Sequence, residues 1–535
     1  TTPIKLTLSG TKLTDFKSWG IYTTASAVAL YLDKPHFQSN YSTVKGPYLL
    51  SGMTGGGVFS MTGYRVDIGA HGVSGWGAGG HIHGVVEGAV SVYLINPVIR
   101  QKAAATGVGS VYFGLTIKNI RAPVVLAPDI EMDMSALPLN SVAAVVIQPD
   151  GTTPLDSGGF VVAGLRRSDG TVWGQIHVHS TGSGYDVIAG AEALAAANGY
   201  INDGTIRDLT LTCSRETAAV GFHSILNGCK ANTRIINVVI RGGSIVLKED
   251  DGAAVYGCVV SGGSGPAIHL KGSVNTRFFH NTLIVTAGAA GSYGIQASQN
   301  TTGTNCTGCV GTGNIIAAED GSVEPMLVSI DAGQDVVMAE NHYWSREPLD
   351  ATAWRAAGVG YATVEAWKAV EPTASFGDPV FTAPMGGDYS IAGASQAAAR
   401  VSPMAEWIYD RAGVLAAVPK AAAGAYEVPA AAAVPATTQQ LTDTVAVLTG
   451  MMGRVNTPSA ALPTADVAVT GTTALTVAGY GAKHAKVTTA ATDAVMTLDA
   501  AALTGDMIKV SKVDAGTGKV IVRSISRGSR RKMTG

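Results

Sequence analysis

The sequence predicts an all-β chain whose body, residues 161–427, is a right-handed parallel β-helix: a solenoid of short strands stacked coil on coil. Three observations predict it. Charged residues are only 14% of the 535, against roughly 25% in an average domain. Glycine, at 67 residues, is abundant, and long amphipathic helices built from Glu, Lys, Arg and Leu are absent from the pattern. Between residues 160 and 330 one motif returns: a corner residue followed by a short apolar run.

The net charge of −2 gives no electrostatic reason to expect nucleic acid, and no apolar run of membrane-spanning length occurs. The opening TTPIKLTLSG lacks the charged start and apolar stretch of a secretion signal. Residues 1–160 alternate in places, as in SVYLINPVI (91–99) and GLTIKNI (114–120), and are broken by glycine clusters. They are expected to form a separate, irregular β-rich domain that could serve for attachment.

In the body the recurring motif reads Asp208-LTLT, Asn237-VVI, Cys258-VV, Asn281-TLIV and Asn314-IIA, at separations of 29, 21, 23 and 33 residues. The middle two match one coil of a β-solenoid, and the longer two are coils with loop insertions. Asn or Asp at a corner can bond the turn backbone. The five cysteines, at 213, 229, 258, 306 and 309, are an odd number and argue against a disulfide framework. Cys306-Thr-Gly-Cys309 has metal-ligand spacing, but with no second pair it reads as interior packing.

Thr276-Arg-Phe-Phe-His280-Asn281-Thr282-Leu-Ile resembles the "HNT" rung of right-handed β-helix proteins of the pectate-lyase-like superfamily. FGDPVF (376–381), GGDYSI (386–391) and GAYE (424–427) are similar to the closing segment of such domains, and Asn341-His-Tyr343-Trp344 fits the same pattern. The likeness covers residues 160–427 and implies the fold. It leaves the chemistry open, since the superfamily holds lyases, hydrolases, epimerases and non-catalytic bacteriophage spikes.

Residues 428–463 read as a Pro/Ala linker and a short helical stalk, with Leu441, Val445, Leu448, Met452 and Val455 on a heptad seam. Residues 464–535 return to β alternation as a small domain, with Asp514-Ala-Gly-Thr-Gly expected to turn a hairpin.

Candidate chemistry lies in three polar groupings. Glu249, Asp250 and Asp251 stand about one coil before His269 and Lys271, so stacking predicts one patch able to bond sugar hydroxyls. Three acids in a row are also an ordinary solvated turn. The motifs His81-Ile-His83 and His177-Val-His179 each turn two imidazoles to one side of a strand. Two histidines are too few for a tight metal site, whereas three chains about an axis would supply six. Trp76, Trp173, Trp344, Tyr293 and His223 could contact sugar rings, or serve as core plugs and end caps.

The expected function is that of a bacteriophage tail-fibre or tailspike-type virion protein. It would be a homotrimer binding a bacterial surface polysaccharide, and would be joined to other tail or baseplate proteins. Beyond a metal ion at a trimeric His-x-His ring, no cofactor is expected. The alternatives are a secreted polysaccharide lyase or glycoside hydrolase, acting extracellularly, and a purely structural virion component.

Overall fold

The computed structural model describes most of residues 4–427, apart from connecting segments of which the longest are 191–199 and 215–222, together with six short strands between 465 and 524. Two compact units divide the chain, Thr1–Thr437 and Thr438–Gly535. The first is a parallel β-helix. Each coil lays down three strands in turn, one in each of three stacks. The first sheet has 12 strands, from Ile4–Ser9 to Val336–Ala339; the second has 13, from Lys12–Thr14 to Ser375–Phe376. The third stack is a seven-stranded sheet from Trp19–Thr23 to His223–Ser224, followed by a six-stranded one beginning at Ile245–Lys248.

The solenoid thus already includes the first described strand, Ile4–Ser9, and passes residue 160 without a break: Val124–Leu126 pairs in parallel with Val161–Ala163, and that strand with Thr205–Arg207. The separate domain expected over 1–160 is corrected accordingly. Strands there run longer, up to the eleven residues of Val98–Val108, which blurs the coil period that shorter strands make visible downstream.

The stacking follows from period-2 alternation. In the second sheet Phe37, Val66, Ile99, Ile130, Ile176, Leu211, Ile240, Val260, Leu283, Ile316 and Tyr343 form one inward column, each in register with the next and each buried. In the first sheet the column Val255, Phe278, Gly311, Met338 includes a glycine because a Cβ at Gly311 would lie 2.1 Å from the Phe278 ring.

Two residues make the corner between the first and second sheets. The first takes a left-handed backbone, as at Asn96, Asp208, Asn237, Gly257, His280, Gly313 and Glu340. The second points inward. The sequence motif mixed the two positions: Asp208 and Asn237 hold the first, Cys258, Asn281 and Asn314 the second. The true spacing of the first position from 208 to 313 is 29, 20, 23 and 33 residues.

The inward position presents a buried N–H, which must find an acceptor. Early coils remove it with Pro35, Pro97 and Pro128, which follow left-handed Lys34, Asn96 and Ala127. Late coils use an asparagine ladder. Asn314 Oδ1 accepts from Asn281 N and Nδ2, each at 3.0 Å; Asn341 Oδ1 accepts from Asn314 N at 2.9 Å and Nδ2 at 2.8 Å. The second proton of each amide goes to a first-sheet carbonyl, of Val255, Phe278 and Gly311. Glu371 ends the ladder. Its Oε1 accepts from Asn341 N and Nδ2, and its Oε2 from Tyr343 Oη at 2.6 Å and Trp367 Nε1 at 3.3 Å.

An aromatic plug closes the C-terminal end of the coil stack. Tyr343 packs against Trp354, Trp367 and Phe376, with ring centroids 6.1, 6.2 and 5.5 Å apart. Trp367 is carried by the short helix Val364–Lys368, whose N-terminus is capped by Thr363.

From there the chain runs back over the outer face of the second sheet. That face is apolar in the late coils, at Val239, Val259, Ile284, Ile315 and Ala317, and Tyr389, Ile391, Ala397, Val401, Ala422, Ala423 and Ala425 cover it. Gly424 N donates to Gly313 O, and Ala425 N to Thr282 Oγ1. Trp407 stacks on His280 with centroids 3.7 Å apart. The motifs at 376–427 therefore form a strap: Phe381 and Tyr389 pack edge to face, and Glu427 accepts from Ala422 N.

The second unit corrects a further expectation. Ala465–Asp466, Lys483–Val487 and Ile508–Lys512 form one parallel sheet; Leu475–Val477, Ala494–Leu498 and Val520–Ser524 form another. Ile508–Lys512 and Val520–Ser524 thus lie in different sheets and make no hairpin. The connection between them, 513–519, is longer than the two to five residues usual for hairpins. The heptad at Leu441–Val455 lies outside the described residues.

Candidate functional site

The five residues expected to form one patch meet at one corner of the solenoid, but not on one surface. Ile245–Lys248 and Ile268–Lys271 pair in parallel, which sets Lys248 beside Lys271 and His269 beside Val246. Lys271 is half-buried; desolvation, then Lys248, lowers its pKa. His269 faces outward but is covered, with Nε2 2.9 Å from Ser298 Oγ. Burial, with a smaller contribution from Lys271, brings its pKa down to about 3, so it is neutral.

Glu249 takes the left-handed corner position and accepts from Asn300 Nδ2 at 2.7 Å. Asp251 is exposed and accepts from Asn275 Nδ2 at 3.1 Å. Between them Asp250 turns into the interior. It is fully buried, and neither carboxyl oxygen has a hydrogen-bond partner among the described residues. Burial, then the neighbouring Asp251, raises its pKa well above 3.8. Glu249, Asp251 and Lys271 therefore remain at the surface, His269 is screened, and Asp250 is removed from any contact with a polymer outside.

The histidine motifs lie on different sheets. His81 and His83 are on Gly77–Gly84 in the third stack, in register with Thr116 and Lys118; their side chains lie outside the described residues. His177 and His179 are on Gln175–Ser180 in the second sheet, opposite Glu131 and Asp133, and alternate with buried Ile176 and Val178. Their imidazoles face outward, and His179 Nδ1 stands 3.8 Å from Asp133 Oδ1. Among the described residues no three His, Cys, Asp or Glu side chains gather as metal ligands would.

The surface around His177 was not singled out from the sequence. Asp129, Glu131, Gln175, His177 and Thr212 line a shallow hollow on the outer face of the second sheet, floored by Ile130 and Ile176. Arg100 reaches in from the preceding coil. Its Nη2 lies 2.7 Å from Asp129 Oδ2 and its Nε 3.3 Å from Glu131 Oε2, while Gln175 Nε2 donates to Asp129 Oδ1 at 3.0 Å. Lys102 pairs with Asp133 at 3.6 Å. Farther toward the N-terminus Asp67 accepts from His36 and Arg65, each at 2.7 Å; although partial burial opposes it, those bonds hold its carboxyl below the usual range. Such half-exposed pairs add little stability. They do fix the directions of donors and acceptors on a rigid surface. The alternations Asp129-Ile-Glu131-Met-Asp133 and Gln175-Ile-His177-Val-His179 are the sequence signal that could have found this face.

Of the aromatic candidates, Trp173 is 48% exposed and stands two residues before Gln175. Trp344 and Tyr293 are half-buried. Trp76 and the side chain of His223 lie outside the described residues. Comparison with known proteins finds no matching family, no matching curated protein and no matching solved structure.

Proposed function

We propose that this chain is a bacteriophage tail-fibre or tailspike-type virion protein, related to the pectate-lyase-like β-helices, that grips a bacterial surface polysaccharide. The observation that carries the reading is the division of the second sheet's outer face. Its late coils are apolar and lie under the strap, whereas its early coils display Arg100, Asp129, Glu131, Gln175, His177 and Thr212. Carboxylates, an amide, an imidazole and a guanidinium together offer both donors and acceptors to sugar hydroxyls. They are held on strands, so little ordering cost accompanies binding. Trp173 beside Gln175 offers a ring face for a sugar.

Binding is favoured over hydrolysis. A glycosidase needs one carboxylic acid kept protonated next to the substrate. Asp250 is a carboxyl held protonated, and it is sealed in the core. Asp129 and Glu131 share a guanidinium. The reading extends to a homotrimer, with metal bound at a ring of His81-Ile-His83 motifs about its axis rather than at His177 and His179, which lie on the polysaccharide face, and to attachment through other tail or baseplate proteins.

The test is binding of purified bacterial surface polysaccharide, by calorimetry, to the wild type, to an E131A/Q175A/H177A triple variant, and to a Glu249→Ala, Asp251→Ala, Lys271→Ala variant. Loss of at least about tenfold in affinity in the first, about 1.4 kcal/mol, supports the second-sheet face. Loss confined to the other variant moves the site to the Glu249 corner. Binding to neither the wild type nor any variant across a panel of host polysaccharides overturns the proposal, and release of unsaturated or reducing ends replaces it with an enzyme. Native mass equal to one chain rejects the trimer.

A further inference from the structure

The corner between the first and second sheets is enlarged after Val161–Ala163, where residues 164–174 fold into a small hairpin. Leu165 pairs with Trp173 and Arg166 with Val172; the tip, 167–171, lies outside the described residues. Two glycines seat the hairpin on the next coil. A Cβ at Gly164 would lie 1.8 Å from Asp208 O, and one at Gly174 would lie 2.7 Å from Gly164 Cα. This seating brings Arg166 onto the Asp208 corner, with Nη2 3.2 Å from Asp208 Oδ1. Arg207, the last outward residue of Thr205–Arg207, approaches the other oxygen, with Nη1 3.8 Å from Asp208 Oδ2. Arg411 of the strap reaches the same corner column one coil on, where it donates to Asn237 O.

We propose that this corner is an oxyanion site, at which Arg166 and Arg207 clasp the phosphate or carboxylate group of an acidic ligand. Each guanidinium carries five N–H donors in a planar fork. Among the described residues the two together make one hydrogen bond, from Arg166 to Asp208, and Arg207 Nε is buried without a partner. Yet the Arg166 and Arg207 side chains are only 12% and 18% exposed. Donors so far withdrawn from water and so little used cost free energy until an acceptor meets them. The exposed remainder leaves that acceptor a way in from solvent.

The charges point the same way. Two guanidiniums share the single Asp208 carboxylate, so one positive charge is left over at the contact. Other arginines provide the contrast: Arg100 has both Asp129 and Glu131, Arg277 has Glu406 and Arg346 has Glu319. Arg411 adds to the positive field. Burial lowers its pKa, and the charge of Arg166 acts in the same sense. A guanidinium fork matches two oxygens of a carboxylate or a phosphate, and the charged bonds that result are the strong ones. The site stands apart from the hollow at His177 and needs no polysaccharide to be tested.

The experiment titrates the folded, full-length chain with inorganic phosphate and with glucuronate, by calorimetry, in chloride of matched ionic strength. Glucose is the uncharged control. The expected result is saturable binding of at least one anion, with a rise in the unfolding midpoint and no binding of glucose. Phosphate alone assigns the ligand to phosphates, and glucuronate alone to carboxylates. Arg166→Gln and Arg207→Gln should each weaken binding at least about tenfold, since each removes charged donors. Arg166→Lys keeps the charge without the fork; it should also weaken binding, and it replaces any Gln variant whose circular dichroism shows that it has not folded. Arg234→Gln removes an exposed arginine from the adjacent strand and should change nothing. Neither anion binding above chloride, unchanged affinity in the folded Arg166 and Arg207 variants, or an equal loss in Arg234→Gln would each overturn the site.

Discussion

Replacing Asn314 with alanine tests the asparagine ladder. The side chain is fully buried and makes four bonds: it accepts from Asn281 N and Nδ2 and donates to Phe278 O and Asn341 Oδ1. Alanine supplies none of them. The Asn281 N–H loses the acceptor it has in the interior, and a buried donor left in that state costs about 1–3 kcal/mol. Asn281 Nδ2, Phe278 O and Asn341 Oδ1 each lose one bond, at about 0.5–1.5 kcal/mol apiece. Together these give a destabilisation of about 2.5–7.5 kcal/mol.

Guanidinium unfolding followed by circular dichroism measures the total, and hydrogen exchange at the Asn281 amide measures the local effect. Exchange there should accelerate by several orders of magnitude, while amides around Ile99 stay protected. Thr312→Ala, on the outer face of the same coil, serves as control at under about 0.5 kcal/mol. A loss below about 1 kcal/mol for Asn314→Ala, or unchanged Asn281 exchange, would falsify the claim that the ladder satisfies the corner donors.

Gly311→Ala should lower the unfolding midpoint, at a cost of about 1–3 kcal/mol, because the new Cβ lies 2.1 Å from the Phe278 ring; Phe278→Leu should relieve most of it, and an additive double mutant would argue against the clash. Asp250 has a folded pKa well above 3.8, so its contribution is intact below that value and is lost as pH rises through the folded pKa. Asp250→Asn should therefore stabilise the protein near about pH 7 and leave it unchanged near about pH 3, as read from unfolding midpoints at the two values; equal effects at both would reject a protonated Asp250. His280 behaves oppositely. Its pKa is lowered from 6.5 to about 3 by burial, so its contribution is present above 6.5 and is lost as pH falls toward about 3. The Trp407 fluorescence should change over that interval as the stack opens, and a flat signal down to pH 3 would contradict it.

How far the fold could be read from the sequence depended on coil geometry. Between Thr205 and Ala318 the strands of the first two sheets are three to five residues long and the corners recur, so the period shows. Upstream the left-handed corner also recurs, at Lys34, Gly63, Asn96 and Ala127, but three of these four are followed by proline. Pro35, Pro97 and Pro128 remove the donor that asparagine satisfies later, and a search for repeated Asn or Asp passes over them. The candidate patch was legible as a neighbourhood, since Glu249 and Lys271 do meet across one coil: Glu249 N donates to Lys271 O. Which way each side chain turned was not. At a left-handed corner, alternation is interrupted, and Asp250 goes inward where a strand count from inward Leu247 would place it outside.

The second sheet shows why one solenoid can carry two kinds of outer face. Its inward column is uniform from Phe37 to Ile316, so the core places no constraint on the residues pointing out. Those residues then report what lies over them. Val239, Val259, Ile284 and Ile315 would expose a continuous apolar stripe if bare, and such stripes are covered in stable proteins. The strap covers them, and its polar ends are tied down where it crosses coil edges, with Arg277 to Glu406 at 2.7 Å and Lys420 to Glu340 at 3.2 Å. From Arg65 to Thr212 the outward residues are mostly polar, Val98 being an exception, and their charges are matched rung to rung rather than to a covering segment: Arg100 to Asp129 and Glu131, Lys102 to Asp133. A face whose charges satisfy one another along the coil axis is stable in water without a lid. It also keeps its donors and acceptors turned outward, so a polymer that bonds through hydroxyls could meet it without first displacing protein.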